Sequence, residues 1–192
     1  LGLADWATEA GPPWRPELMR QAQGAMRRNL LETTAAWSAN ARMAAAEGVP
    51  LVSYEGGQHV LAVGLGDAAD PVFARFMAFV EALQRDEGMG RLYQEHYAHW
   101  AAAGGRAVSL FVDVGEPSYW GYWGARERIT DPRSAAPKWD AFLRWTETMR
   151  GVRATGDARG AAPALPELAW QGEAGLPLRF VAAATGGDGA VR

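Results

Sequence analysis

Residues 49–60 read Val-Pro-Leu-Val-Ser-Tyr-Glu-Gly-Gly-Gln-His-Val. Strand formers (Val49, Leu51, Val52, Tyr54) lead into the carboxylate Glu55, two residues without side chains, then Gln58 and His59. A carboxylate at the carboxyl end of a strand is poised to act as nucleophile or base, provided a partner acid lies across the pocket. Imidazole is a common site group that can orient a carboxylate or touch a hydroxyl, and also a common structural hydrogen-bonder. Gly56 and Gly57 would let a ligand approach the backbone closely. A second cluster follows another apolar run: Asp113, then Glu116, Ser118, Tyr119, Trp120, Tyr122 and Trp123. Indole and phenol rings beside glycine suit the flat, apolar faces of sugars and leave their polar atoms for hydroxyls. Carboxylates together with such rings point to carbohydrate before nucleotide or peptide. Asp113 is also well suited to capping a loop.

Two strands and their helices must position these groups. Residues 17–47 have the period of a long helix, with Met19, Met26, Leu30, Trp37 and Ala44 on one side and Gly48 as the stop. Residues 1–16, with three prolines, read as loop, and Pro16 suits a first helical turn. Residues 49–54 form the first strand. After a glycine-rich loop (56–70), Asp70-Pro71 opens a helix over 71–84. The stretch 85–90, Arg-Asp-Glu-Gly-Met-Gly, is expected to break it, and a further helix covers 90–103. Residues 107–114 form a second strand, 115–127 a loop, and 135–150 a last helix carrying Trp139, Phe142 and Leu143. Both strands are apolar throughout, as in a parallel sheet covered by helices, and helices join them as a parallel crossover requires. Two parallel strands cannot bury their own edges. Further strands outside 1–192 are therefore expected, and the chain reads as part of a larger α/β protein. Residues 151–166 read as a Gly/Ala/Pro linker, and 167–192 as a tail that begins a small β domain such as an immunoglobulin-like module.

Composition narrows the function. A formal charge of −3 over 192 residues gives no basic field for nucleic acid or an anionic membrane. No apolar run reaches the roughly 18 residues of a spanning helix. Zero cysteines exclude disulfides and thiolate chemistry. His96 and His99 stand three apart beside Glu95, in the wrong order for a helical zinc site, and are read as solvated or packing. No metal and no cofactor is expected. Residues 64–70 lack the third glycine of a dinucleotide fingerprint, and there is no phosphate-binding loop or Gly-x-Ser-x-Gly elbow. Trp100, Trp139 and Trp145 lie on or beside helical stripes and are assigned to packing.

The strings Pro-Leu-Val-Ser-Tyr-Glu-Gly-Gly-Gln-His (50–59), 85–105 and Pro-Ser-Tyr-Trp-Gly-Tyr-Trp-Gly-Ala-Arg-Glu (117–127) resemble the C-terminal half of bacterial barrels related to clan A glycoside hydrolases. Some of these are labelled cellulose-binding. The resemblance covers roughly 37–145. It implies a (β/α)8 barrel, with 49–55 as strand seven and 107–114 as strand eight. It further implies Glu55 as the catalytic nucleophile, with Trp120 or Trp123 flooring the sugar subsite. Gln58, His59, Asp113 and Tyr119 would complete the substrate site. The acid/base glutamate of such enzymes belongs to strand four, and no Asn-Glu pair occurs in this chain. The implied mechanism is retaining hydrolysis of a polysaccharide or oligosaccharide, with the acid about 5–5.5 Å from Glu55. Such a protein is expected outside the cytoplasm, extracellular or periplasmic. Two alternatives stay open: a non-catalytic carbohydrate-binding protein on the same scaffold, and an unrelated α/β enzyme using Glu55 as a general base.

Overall fold

The computed structural model describes residues 14–61, 67, 69–154, 167–171 and 179–183. The chain is mixed helix and sheet. It divides into two compact units, Leu1–Thr148 and Met149–Arg192. Residues 1–13 of the loop expected over 1–16, most of the linker (155–166) and much of the tail lie outside the described residues.

In the first unit, helix α1 spans Pro16–Ala46, with Pro16 at its first position. Gly48 ends it at φ 68°, a left-handed conformation that glycine adopts without a Cβ clash. The predicted stripe from Met19 to Ala44 is its half-buried side, and Leu18 and Ala22 are its buried residues. Strand β1 (Leu51–Ser53) follows, shorter than expected. Helix α2 (Pro71–Arg85) opens on Asp70, whose carboxylate accepts the Val72 N–H at 2.8 Å. Helix α3 is Glu87–Ala102.

The break expected over 85–90 is confined to Asp86, and this corrects the sequence reading. Asp86 closes α2 by donating its N–H to Leu83 O. Its carboxylate caps α3 by accepting the Gly88 N–H at 2.7 Å, and it also accepts Gln23 Nε2 of α1 at 2.7 Å. The glycines serve close packing rather than chain breaking. A Cβ at Gly88 would sit 2.2 Å from the Gln23 side chain, and one at Gly90 2.9 Å from Pro137 O.

The expected single strand over 107–114 is two. Strand β2 (Gly105–Val108) pairs parallel with β1, matching Ser53 with Val108. The chain then stays beside the exit of β1, with Ser109 N–H donating to Ser53 O and Phe111 N–H to Gly56 O. From Val112 it changes partner. Strand β3 (Val112–Val114) pairs parallel with β4 (Gly124–Arg126), which lies inside the predicted loop. Gly124-Ala125-Arg126 carries no strand former. Tertiary contact fixes it: a Cβ at Gly124 would stand 2.3 Å from Gly115 O.

The core joins α2 and α3 to the loop after β3 through Phe79, Val80, Leu83, Met89, Tyr97 and Tyr122. Each of the buried Phe, Val, Leu and Met side chains among them contributes roughly 1.5–3 kcal/mol. The expectation that helices cover both faces of the strands does not hold for β1. Leu51 and Ser53 are half-buried, while Val52 and Tyr54 point the other way and are 57% and 85% exposed.

Helix α4 (Pro137–Ala154) runs four residues into the predicted linker. In the second unit, β5 (Glu167–Gln171) and β6 (Arg179–Ala183) pair antiparallel, Gln171 opposite Arg179.

Candidate functional site

Glu55 follows β1 at its carboxyl end. Its backbone oxygen accepts the Ser53 hydroxyl, and its side chain is exposed. Among the described residues the carboxylate has neither an ion pair nor a hydrogen bond. The two glycines after it have a structural cause. A Cβ at Gly56 would lie 2.7 Å from Val108 Cγ2. One at Gly57, where φ is 136°, would lie 2.8 Å from the Tyr93 hydroxyl. The side-chain positions at 56 and 57 are therefore filled by β2 and α3, and the expected open approach to the backbone is not what these glycines provide.

Gln58, expected at the substrate site, is engaged as a structural tie. Its Nε2 donates to Tyr122 O at 2.7 Å, its Oε1 accepts the Val60 N–H at 2.6 Å, and its own N–H donates to the Tyr93 hydroxyl at 3.2 Å. With both ends of its side-chain amide engaged, Gln58 sets the path of the loop that carries Glu55 and His59.

His59 is exposed, and its ring centroid lies 6.1 Å from that of Trp123 at 34°. Trp123 is half-buried and meets the edge of Phe111 at 5.3 Å. Gly121 admits it, since a Cβ there would be 2.5 Å from the indole. Trp120 is 67% exposed. Its backbone is fixed by the Ser118 hydroxyl, which accepts its N–H at 3.3 Å, and its ring meets Tyr119 edge-on at 5.2 Å. Tyr119 in turn packs on Phe73 of α2, so its ring serves as a support. The structure thus brings His59 and Trp123 together and leaves Trp120 on the surface beside Tyr119.

Asp113 does not join this group as a free carboxylate. It forms a two-point ion pair with Arg126, at 3.0 and 3.3 Å, and Arg126 lies over the Trp139 ring at 4.4 Å. The pair clamps β3 to β4, so Asp113, expected at the substrate site, is engaged structurally. Glu116 is likewise paired with Arg128 at 3.0 Å.

One polar residue behind the loops, Lys138, escaped sequence reading. Lys138 on α4 is buried, and its Nζ donates to Gln84 Oε1 and to Tyr122 O, both at 2.9 Å. Burial pushes its pKa down to about 7, opposed by the negative charge of Glu127. Lys138 lies three residues before the fully buried Ala141, on the apolar side of α4, and that placement was the available signal. Tyr93 is buried, and burial pushes its phenol up to about 12. His96 packs edge-on against Trp37 at 5.2 Å and Tyr97 at 5.3 Å. Burial first, then the nearby His99, pushes it down to about 4, so it is neutral near pH 7. Glu95 is held by Arg27 at 2.7 and 2.8 Å. His96 thus packs among aromatic rings, one of the two environments expected for it. Among the described residues no cluster of three or more metal-ligating side chains occurs, and no helix is long and apolar enough to cross a membrane.

Chemically, the strand end offers one unpaired carboxylate and one exposed imidazole beside an indole, while the exposed Trp120 indole stands on the surface beside Tyr119. Compared with known proteins, the chain matches no family model, no curated protein and no solved structure.

Proposed function

We propose that this chain is part of a carbohydrate-active α/β protein that presents Glu55 to a neutral saccharide. The supporting observation is the unpaired, exposed Glu55 carboxylate at the carboxyl end of a parallel strand. Ligands of parallel α/β folds gather at that end. The indole of Trp123, carrying His59, and the exposed Trp120 supply apolar faces for pyranose rings. The wider architecture proposed is a (β/α)8 barrel. In its favour are the parallel β1–β2 pair joined through two helices and the uncovered side of β1 with Val52 and Tyr54, which in a barrel would face inward. Secretion or periplasmic residence follows from a polysaccharide substrate and belongs to the same proposal.

In the hydrolytic form of this reading, Glu55 attacks the anomeric carbon while a carboxylic acid about 5–5.5 Å away protonates the leaving oxygen. Water then releases the glycosyl–enzyme intermediate. The second reading is binding without turnover. Asp113 and Glu116 of the 113–123 segment are both paired with arginines, so neither offers Glu55 a free partner acid, and hydrolysis requires that acid from elsewhere in the barrel.

Titration with cello-oligosaccharides and soluble xylan, followed by tryptophan fluorescence, tests recognition. A saturable change lost in Trp120→Ala and Trp123→Ala is expected, and no response to any glycan overturns the reading. Glu55→Gln then separates its two forms. Hydrolysis predicts loss of turnover with affinity retained, and binding alone predicts no turnover in either protein.

A further inference from the structure

The 57–60 loop also forms one wall of a cavity of about 460 Å³, whose other walls are α1 and α3. That volume falls within the few hundred to about 1,000 Å³ typical of small-molecule sites. Met26, Leu30 and Trp37 line it from α1, and Leu92, Tyr93 and His96 from α3. Among the described residues that line it there is no Asp, Glu, Lys or Arg. Burial keeps the His96 ring neutral near pH 7, which adds no charge to the wall. A charged ligand would lose hydration here and find no counter-ion, a loss of several kcal/mol.

Two buried polar groups in this wall have capacity to spare: His96 Nε2, which has no hydrogen-bond partner among the described residues, and the Tyr93 hydroxyl. Tyr93 is 4% exposed, and its hydroxyl accepts the Gln58 N–H at 3.2 Å. Among the described residues nothing accepts the hydroxyl's own proton. A phenol both donates and accepts, and a buried donor left unused carries a desolvation cost that a ligand acceptor would relieve. Burial raises the Tyr93 pKa to about 12, so the proton stays in place at neutral pH.

We propose that this cavity binds an uncharged, largely apolar small molecule carrying a hydrogen-bond acceptor, which receives the Tyr93 hydroxyl proton. The apolar groups on α1 and on Leu92 favour an aromatic or alicyclic body over a free sugar. Neither Glu55 nor Trp120 lines the cavity, so the proposal does not rest on the carbohydrate reading; His59 alone of the proposed saccharide-site residues borders both.

The neutral naphthyl ketone fluorophore prodan, titrated into the 192-residue chain, tests it. A saturable blue shift with one probe per chain is expected. Ala25 is exposed on α1 and lines the same cavity, so Ala25→Phe fills the space from the surface without disturbing the core. It should weaken prodan binding by at least about tenfold, with the thermal midpoint unchanged. Tyr93→Phe should weaken it by about fivefold and shift the bound emission further to the blue, as a ketone deprived of its donor does. Unsaturable binding, or binding that Ala25→Phe leaves intact, places the probe elsewhere, for instance on the exposed Val52 and Tyr54, and overturns the proposal. Should Tyr93→Phe unfold the chain, the Ala25→Phe result decides alone.

Discussion

Gln58 and Lys138 converge on one acceptor: the Gln58 amide and the Lys138 amine both donate to Tyr122 O, at 2.7 and 2.9 Å. Through that oxygen the loop after β1 is tied to α4. Through Gln84, which receives Lys138, the tie extends to α2.

Removing Gln58 tests this tie. Gln58→Ala leaves the Val60 N–H without its acceptor and halves the bonding at Tyr122 O. Each buried group left unpaired costs about 1–3 kcal/mol. A loss of about 2 kcal/mol is expected in urea unfolding, with an unchanged slope. A loss below about 0.5 kcal/mol would show that water replaces the amide there.

Lys138 makes stability depend on alkaline pH. The unfolded chain keeps its proton up to about 10.5, and the folded chain gives it up near 7. Between these values the unfolded state carries the extra proton, so stability climbs with pH, by up to about 1.4 kcal/mol per pH unit. Below 7 the burial penalty is constant. Lys138→Met removes the titration, so the stability of the natural chain relative to this variant should improve by about 2 kcal/mol from pH 7 to 9. Parallel curves for the two proteins would refute a depressed Lys138.

His96 acts at the acid end. Unfolded histidine takes up a proton below about 6.5, whereas the folded ring resists until about 4. The unfolded state is therefore the better proton binder across that window, and stability falls as pH drops through it, by on the order of 3 kcal/mol in all. Above 6.5 the contribution is complete. His96→Phe should flatten this part of the profile, and an NMR titration of the His96 ring should show no protonation at pH 5.

Gly57→Ala places a Cβ 2.8 Å from the Tyr93 hydroxyl on a residue with φ 136°. Backbone strain and the clash together should cost about 2–4 kcal/mol by thermal or urea unfolding. Pairing it with Tyr93→Phe recovers little if the strain dominates and much of the loss if the clash does.

Local signals were enough for the helices. Pro16, Gly48 and Asp70-Pro71 act on their own neighbours, and α1 and α2 begin or end where those residues stand. Gly88 and Gly90 misled because their glycine character answers to Gln23 and Pro137, distant in sequence. Strand β4 was invisible for the same reason, since its pairing with β3 is set by the Gly115–Gly124 contact. At the site, the position of Glu55 after a parallel strand was legible from the apolar run before it. The duties of Gln58 and Asp113 were not, because residue type cannot distinguish an amide or carboxylate that meets a ligand from one already engaged by Tyr122 or Arg126.

The outward side of β1 bears on how this sequence can drift over evolutionary time. Val52 and Tyr54 bury little in the described chain, so exchanging them for threonine or lysine is close to neutral for its own folding. Selection at those two positions therefore acts through whatever lies against them. Homologues that keep bulky apolar groups there would record a contact made beyond these residues, and homologues that wander to polar ones would record a bare surface.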